Sequence, residues 1–314
     1  RYIVMNMIPI ISQMAILFLT VGLGFIGAKT GCMNEDSNGL LSKIVLNLTM
    51  PCSILYSVFK SSRVLSNGQV VLLLIMAGFA ALIMIILSKI LTCLFQIPDI
   101  QKGICEFMIL FSNSAFIGYP VIRIIFDENA IFYAAVVNMV FTTLSYTYGV
   151  TLFVKKDENH PLDVKVFLTP MVISSVAACV FYMVNIQIPD FLKDFLGFVD
   201  QVTSPLSMVS IGCALVFTSG RYMTRMWRVY LAVVLRMMAT PIFIALIMRL
   251  FISNQLMIGI VAIIVAMPAA ASTTMFAAKY HGDQALASAC VFTSTLASVV
   301  TIPLVSAILF AFIL

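Results

Sequence analysis

The stretch FSNSAFIGYPVIRIIF, residues 111–126, interrupts a long apolar run with polar and helix-breaking residues. Three polar residues, Ser112 to Ser114, come first, and Gly118 and Pro120 follow them. Pro120 has no backbone N–H and clashes with the carbonyl one turn earlier, so it frees backbone groups. Lipid tolerates such groups only where protein or a watery cavity satisfies them. The stretch therefore predicts either a packed kink or a broken helix that lines a binding site.

The composition predicts that this chain is dissolved in lipid. Of its 314 residues, 62% are hydrophobic and only 10% are charged, whereas soluble domains average roughly 45–50% and about 25%. We therefore predict an all-α polytopic protein of the plasma (inner) membrane, because helices satisfy their own backbone groups in lipid. The net charge of +5 reflects the loops, so no nucleic-acid partner is expected beside the lipid bilayer.

The cysteines and short motifs give no indication of a metal centre or an enzyme. Seven cysteines are scattered without paired spacing, so we expect neither a metal site nor a disulfide framework. GLGFIG, residues 22–27, matches a dinucleotide-binding pattern but lies inside an apolar run, where close helix packing explains it. No H-E-x-x-H, Walker A or G-x-S-x-G motif occurs. We predict a protein that is not an enzyme and has no cofactor.

Apolar runs of about 20 residues, the length needed to cross a bilayer, predict ten transmembrane helices. They lie near residues 6–28, 43–59, 70–95, 105–126, 130–153, 166–187, 202–219, 229–251, 256–279 and 285–313. The first run is long enough to span, so no cleavable signal peptide is expected, although an initiator methionine is expected to precede Arg1. Lysine and arginine are more numerous in the loops opposite the termini, so the positive-inside rule places both termini outside.

Two internal matches at nearly one offset predict a repeat. A shift of 154 residues places NLTMPCS (47–53) over QVTSPLS (201–207), and a shift of 155 places residues 127–145 over 282–300. Each half then holds five helices, and because five is odd the second half enters the membrane in the opposite direction. The shift of 155 residues also makes the polar or broken stretches of the fourth and ninth helices equivalent. We expect these two helices to cross near the membrane midplane and form a site.

The predicted halves are residues 1–155 and 156–314, and the candidate binding residues are their polar, proline and small residues. In the fourth and ninth helices these are Ser112, Asn113, Ser114, Gly118, Tyr119, Pro120, Pro268, Ser272 and Thr273. In the second, fifth and seventh helices they are Asn47, Thr49, Asn138 and Ser207. Polar contacts between packed helices are the alternative for this second group.

Charged residues within the predicted helices are few. Arg236 is the one charge well inside a helix, where a charge is costly and usually faces a partner or a cavity. It either binds an anion or pairs with Glu106 or with the carbonyls of a broken helix, and we favour the structural role. Glu106 is the only acidic residue expected within a membrane span, whereas Arg123 can extend to the membrane interface.

Three segments together resemble the auxin efflux carrier family, which comprises plant carriers and bacterial permeases for malate, malonate and similar acids. They are NSAFIGYP (113–120), PLSMVSIGCAL (205–215) and the long stretch from MPAAASTTMF to VVTIPL (267–304). The resemblance implies two inverted five-helix repeats related to the bile-acid/sodium symporter architecture. Helices 1, 2, 6 and 7 would form a scaffold domain. Helices 3–5 and 8–10 would form a transport domain, in which broken helices 4 and 9 cross.

The resemblance also implies a function and contact residues. Plant carriers mark the crossing with a proline-asparagine pair in helix 4 and a proline in helix 9, where this chain has Ser112-Asn113 and Pro268. By this correspondence Asn113 contacts the substrate, and Asn138 matches a polar position of the fifth helix. The implied substrate is a small organic anion, a carboxylate, moved by alternating access. A receptor without transport and a channel are alternatives, and Na⁺ or H⁺ coupling and a homodimer are left open.

Overall fold

The chain is all-helical over the residues that the computed structural model describes, which are 7–60, 66–127, 129–153, 170–217, 227–280 and 282–313. Its α-helices are α1 (Met7–Lys29), α2 (Glu35–Ile44), α3 (Met50–Lys60), α4 (Asn67–Leu94), α5 (Asp99–Leu110), α6 (Tyr119–Ile125), α7 (Ala130–Tyr146), α8 (Tyr148–Thr151), α9 (Pro170–Val184), α10 (Asp190–Val216), α11 (Trp227–Phe251), α12 (Gln255–Ala266), α13 (Ser272–Lys279) and α14 (Gln284–Ile308). Single π-helical turns cover Val45–Thr49, Ser114–Gly118 and Leu309–Ile313.

Several helices have the length and composition of membrane spans. In the described part of the chain, five of them are long and apolar enough to cross a bilayer: Glu35–Tyr56, Asn67–Leu94, Ala130–Thr151, Trp227–Phe251 and Leu286–Ala311. Shorter apolar helices cover Ala15–Lys29, Ser114–Ile125 and Gln255–Ala266. Large apolar side chains such as Leu23, Ile75 and Leu250 are exposed on the outer faces, where lipid is the matching solvent. The protein is therefore a multi-pass membrane protein, and ten crossings remain a prediction.

Two of the helices begin earlier than their apolar runs indicate. The second run is preceded by the polar helix α2, whose N-cap Asn34 accepts a hydrogen bond from the Ser37 N–H at 2.8 Å. The seventh run lies within α10, which begins at Asp190 and not near residue 202. Polar first turns carry no apolar signal, so hydropathy alone places the start too late. The longer α10 includes Asp200, a buried carboxylate that the apolar run left outside the helix.

Two predicted helices are interrupted, and a proline follows each break. After α5, Phe111 is extended (φ −105°, ψ 126°), and the chain returns to helix through a π-helical turn and α6. Pro120 lies in the first turn of α6, where its missing N–H is not needed. After α12, Met267 is extended (φ −62°, ψ 152°) because the following Pro268 disfavours the α region at the residue before it. The chain becomes helical again at Ser272.

Helices α1 and α10 pack closely enough for their backbones to touch. A Cβ added at Gly24 would lie 2.1 Å from the Val209 carbonyl oxygen, and one added at Gly212 would lie 1.9 Å from that of Val21. Both distances are too short for any side chain, so glycine is required at these two positions. The packing interpretation of the GLGFIG stretch is therefore confirmed at Gly24.

This contact predicts opposite effects for two neighbouring glycines of α1. Gly24→Ala should lower stability by about 1–3 kcal/mol, because the added methyl forces α1 away from α10. Gly22→Ala is the matched control, since a Cβ there meets no heavy atom within 4 Å. It should leave stability unchanged or raise it by up to about 1 kcal/mol through helix propensity. Thermal unfolding of the detergent-solubilised variants measures both, and equal midpoints would contradict the close packing.

Candidate functional site

The two helix breaks meet in the interior of the protein. The Asn113 N–H donates to the Pro268 carbonyl at 2.7 Å, and the Ala270 N–H donates to the Phe111 carbonyl at 3.1 Å. These bonds form an antiparallel bridge, which we call the junction, between residues 111–113 and 268–270. Because buried backbone groups must be paired, each broken segment supplies the partners that the other lacks. The two interrupted stretches singled out in the sequence are thus in direct contact.

Arg236 of α11 holds the helix ends on both sides of the junction. Its side chain is fully buried. Nη1 donates to the carbonyls of Val265 and, at 2.8 Å, Met267, and Nη2 donates to those of Met108 and Phe111 at 3.4 Å each. These carbonyls lie at the ends of α12 and α5, where a helix leaves its last four carbonyls unpaired and its dipole is negative. The guanidinium therefore neutralises two helix ends at once.

Of the alternatives for Arg236, these contacts support pairing with broken-helix carbonyls. Glu106 instead accepts a 3.5 Å hydrogen bond from the Thr92 hydroxyl. Only Nε of Arg236 has no hydrogen-bond partner among the described residues. One free nitrogen in a fully enclosed side chain leaves little capacity for an anion.

A buried polar network lies beside the junction. Asn113, which is 4% exposed, accepts a hydrogen bond from the Phe116 N–H at 3.3 Å and so caps the π-helical turn. The Ser114 hydroxyl donates to Oδ1 of Asn138, and Nδ2 of Asn138 donates to the Tyr119 hydroxyl at 3.3 Å. Nδ2 of Asn113 is buried without a partner among the described residues. Leaving a buried donor unpaired costs about 1–3 kcal/mol, so this amide is available to a ligand.

The remaining candidate residues divide into three groups. The hydroxyls of Thr49, Ser207 and Thr273 are buried and donate to the carbonyls of their own helical turns. Ser272, at the start of α13, is partly buried. Asn47 is exposed, so the structure does not bring it together with the network.

A narrow cleft beside the network contains other candidate residues. Its lining comprises Ser53, Ala115, Tyr119, Pro120, Arg123, Ile131, Asp200, Thr203, Ser204 and Ser207. The cavity of about 10 Å³ has room for roughly one water molecule, so the cleft is closed to any organic substrate. Tyr119 belongs both to the cleft and to the network, so the two polar regions are continuous.

The sequence did not reveal the ion pair in this cleft. Arg123 donates through Nη2 to both carboxylate oxygens of Asp200 at 2.8 Å, a pairing that the expectation of an arginine extending to the membrane interface did not include. The only signal for this pairing was the presence of two opposite charges near the ends of apolar runs.

No group of three His, Cys, Asp or Glu side chains in the described ranges could hold a metal ion.

The two-ended contact of Arg236 predicts a large stability loss. Arg236→Met keeps an unbranched side chain but removes the guanidinium, so the carbonyls of α5 and α12 lose their donor and the free energy of unfolding should fall by at least about 3 kcal/mol. Arg236→Lys should recover only part of this, because one ammonium cannot reproduce the fork of a guanidinium. Arg228→Met, on the exposed face of the same helix, is the control and should change stability by less than about 0.5 kcal/mol. Similar melting temperatures for Arg236→Met and the wild type would contradict this role.

Known proteins match the chain over nearly its full length. The profile of the family described as membrane transport protein matches residues 9–165 and 159–306. An uncharacterized transporter of Methanocaldococcus jannaschii is 24% identical over 309 residues, covering 95% of this chain and 98% of that protein. An uncharacterized transporter of Methanothermobacter thermautotrophicus is 23% identical over 309 residues, covering 93% and 96%. These matches confirm the resemblance to the auxin efflux carriers, and the chain belongs to the membrane transport protein family.

Proposed function

We propose that this protein moves a small organic anion, a carboxylate, across the membrane by alternating access, with the substrate bound beside the junction. The observation that carries the proposal is the unpartnered Nδ2 of Asn113, a buried hydrogen-bond donor next to two broken helices. Broken helices with free polar groups are how many secondary transporters build their substrate sites. The family assignment and the relatives named as transporters support the same function.

The chemistry beside the junction suits an anion better than a cation. Nδ2 of Asn113 and the Tyr119 hydroxyl, which accepts from Asn138, can donate hydrogen bonds, whereas the described residues of the network include no carboxylate. Helix α13 begins at Ser272, close to the junction in sequence, and the N-terminus of a helix favours negative charge. A carboxylate would therefore satisfy donors that the protein itself leaves unpaired.

The proposed architecture assigns the moving parts. The chain would consist of two inverted five-helix repeats, residues 1–155 and 156–314. The predicted helices 1, 2, 6 and 7, two from each repeat, would form a scaffold domain. The others would form a transport domain that includes the junction. The packing of α3 against α10, and of α1 against α10, is consistent with a compact scaffold. Both termini would lie outside the plasma membrane, as the loop charges indicate.

The first experiment measures binding and transport by the purified protein. Thermal stability is followed with mono- and dicarboxylates, each with and without sodium, and counterflow is then measured in proteoliposomes for any carboxylate that stabilises the protein. Saturable counterflow would support a carrier, and its dependence on sodium or a proton gradient would identify the coupling ion. Binding without counterflow would indicate a receptor, and non-saturable flux a channel. Stabilisation by a cation or a sugar but by no carboxylate would contradict the anion proposal.

Asn113 provides the residue-level prediction. Asn113→Ala should weaken carboxylate binding and uptake at least about tenfold, the equivalent of roughly 1.4 kcal/mol. Asn113→Asp should weaken them further, because it keeps the oxygen that caps the π-helical turn but replaces the donor with a negative charge. Asn47→Ala is the matched control, since Asn47 is exposed and away from the buried network. Normal uptake by a folded Asn113→Ala protein would remove Asn113 from the site.

A further inference from the structure

The ion pair between Arg123 and Asp200 joins two parts of the protein that the proposed function requires to move apart. Arg123 lies on α6, directly after the break in the fourth helix, and Asp200 lies on α10. The Asp200 side chain is 2% exposed, and that of Arg123 is 27% exposed. Opening the cleft between α6 and α10 must therefore break a buried charge pair. An unpaired buried carboxylate or guanidinium is strongly unfavourable, so something must replace each partner.

The guanidinium of Arg123 is only partly occupied by Asp200. Both carboxylate oxygens lie 2.8 Å from the same nitrogen, Nη2. Nη1 contacts the Ser204 hydroxyl at 3.5 Å, the outer limit of a hydrogen bond, and Nε is buried with no partner among the described residues. An arginine presents five donors in a planar fork that holds a carboxylate through two parallel bonds. Asp200 does not use this fork, so a free carboxylate can form the better-aligned pair.

The surroundings of the pair can stabilise both carboxylates during an exchange. The hydroxyls of Ser53, Thr203, Ser204 and Ser207 line the same cleft, so Asp200 would face hydroxyls and incoming water once the cleft opens. Tyr119 lines the cleft and also accepts a hydrogen bond from Asn138. A ligand bound to Arg123 could thus extend past Tyr119 to the network beside the junction.

We propose that Arg123 is a subsite for the carboxylate group of the substrate, and that Asp200 occupies this subsite in the substrate-free, closed protein. The incoming carboxylate replaces Asp200 on Arg123, and this exchange releases α6 from α10. The inference rests on the proposed function and adds to it a charged contact outside the junction. It also gives a reason for the closed cleft, since the protein's own carboxylate fills the position that the substrate takes.

The experiment compares ligand affinities of variants that change the pair. Isothermal titration of the purified full chain uses malonate, malate and indole-3-acetate as probes, with malonamide as an uncharged analogue. Asp200→Asn removes the competing carboxylate. If Asp200 occupies Arg123 for nine-tenths of the time, this variant should bind at least one of the carboxylates about tenfold more tightly than the wild type. Malonamide should gain no affinity.

Arg123→Gln/Asp200→Asn removes both charges and so leaves no buried charge unpaired. It should bind carboxylates at least about tenfold more weakly than Asp200→Asn, since the subsite is lost. Asp99→Asn is the control for a change of net charge, because Asp99 is fully exposed and pairs with Lys102 on the surface of α5. This control should bind the probes as the wild type does.

The outcomes separate this inference from the proposed function. If no variant binds any carboxylate, both proposals fail. If the wild type binds a carboxylate in an Asn113-dependent manner but Asp200→Asn binds it no more tightly, only the exchange on Arg123 fails. Equal affinities of Asp200→Asn and the double variant would likewise overturn the subsite alone. Tighter binding by Asp200→Asn that is lost in the double variant supports it.

Discussion

A single buried guanidinium satisfies the ends of two helices that stop inside this membrane protein. In lipid a helix can end only where something pairs its last carbonyls, because no water is available to do so. Arg236 meets this requirement for both α5 and α12, with one terminal nitrogen directed to each. Together with the backbone bonds of the junction, this contact supplies partners to both breaks.

The junction in turn positions the donors that the proposed site uses. Because Phe111 to Asn113 are extended and paired with Pro268 to Ala270, Asn113 is held next to the breaks with its oxygen committed to the π-helical turn. Its nitrogen then has no partner within the described chain. A fully helical fourth segment would instead have directed Asn113 into ordinary helix packing. The break in the fourth helix is thus the physical origin of an unpartnered donor.

The sequence predicted the breaks better than the contacts around them. Polar residues at Ser112 to Ser114 and a proline at Pro268 are local signals, and the internal match connected them. The pair of Arg123 and Asp200 spans 77 residues, and no local pattern distinguishes an arginine that pairs from one that extends to the interface. Asn47, a predicted binding residue that the structure leaves exposed, differs from the sequence prediction for another reason. It lies in a π-helical turn, whose extra residue shifts the helical phase, and hydrophobic periodicity does not anticipate such a turn.

Arg123 and Arg236 also break the symmetry of the predicted repeat. Under the shift of 155 residues, Arg123 corresponds to Ala278, Arg236 corresponds to Ala81, and Asp200 corresponds to Val45. For Arg236 one copy is enough, since its two terminal nitrogens serve the ends of α5 and α12, one in each predicted half. The pair of Arg123 and Asp200 joins the two predicted halves, and neither residue has a charged counterpart under the shift, so the repeat supplies no second copy of this pair. In the predicted inverted repeat, two similar pathways would lead to one site, and a charge pair that closes only one of them would make the energetics of the two openings unequal.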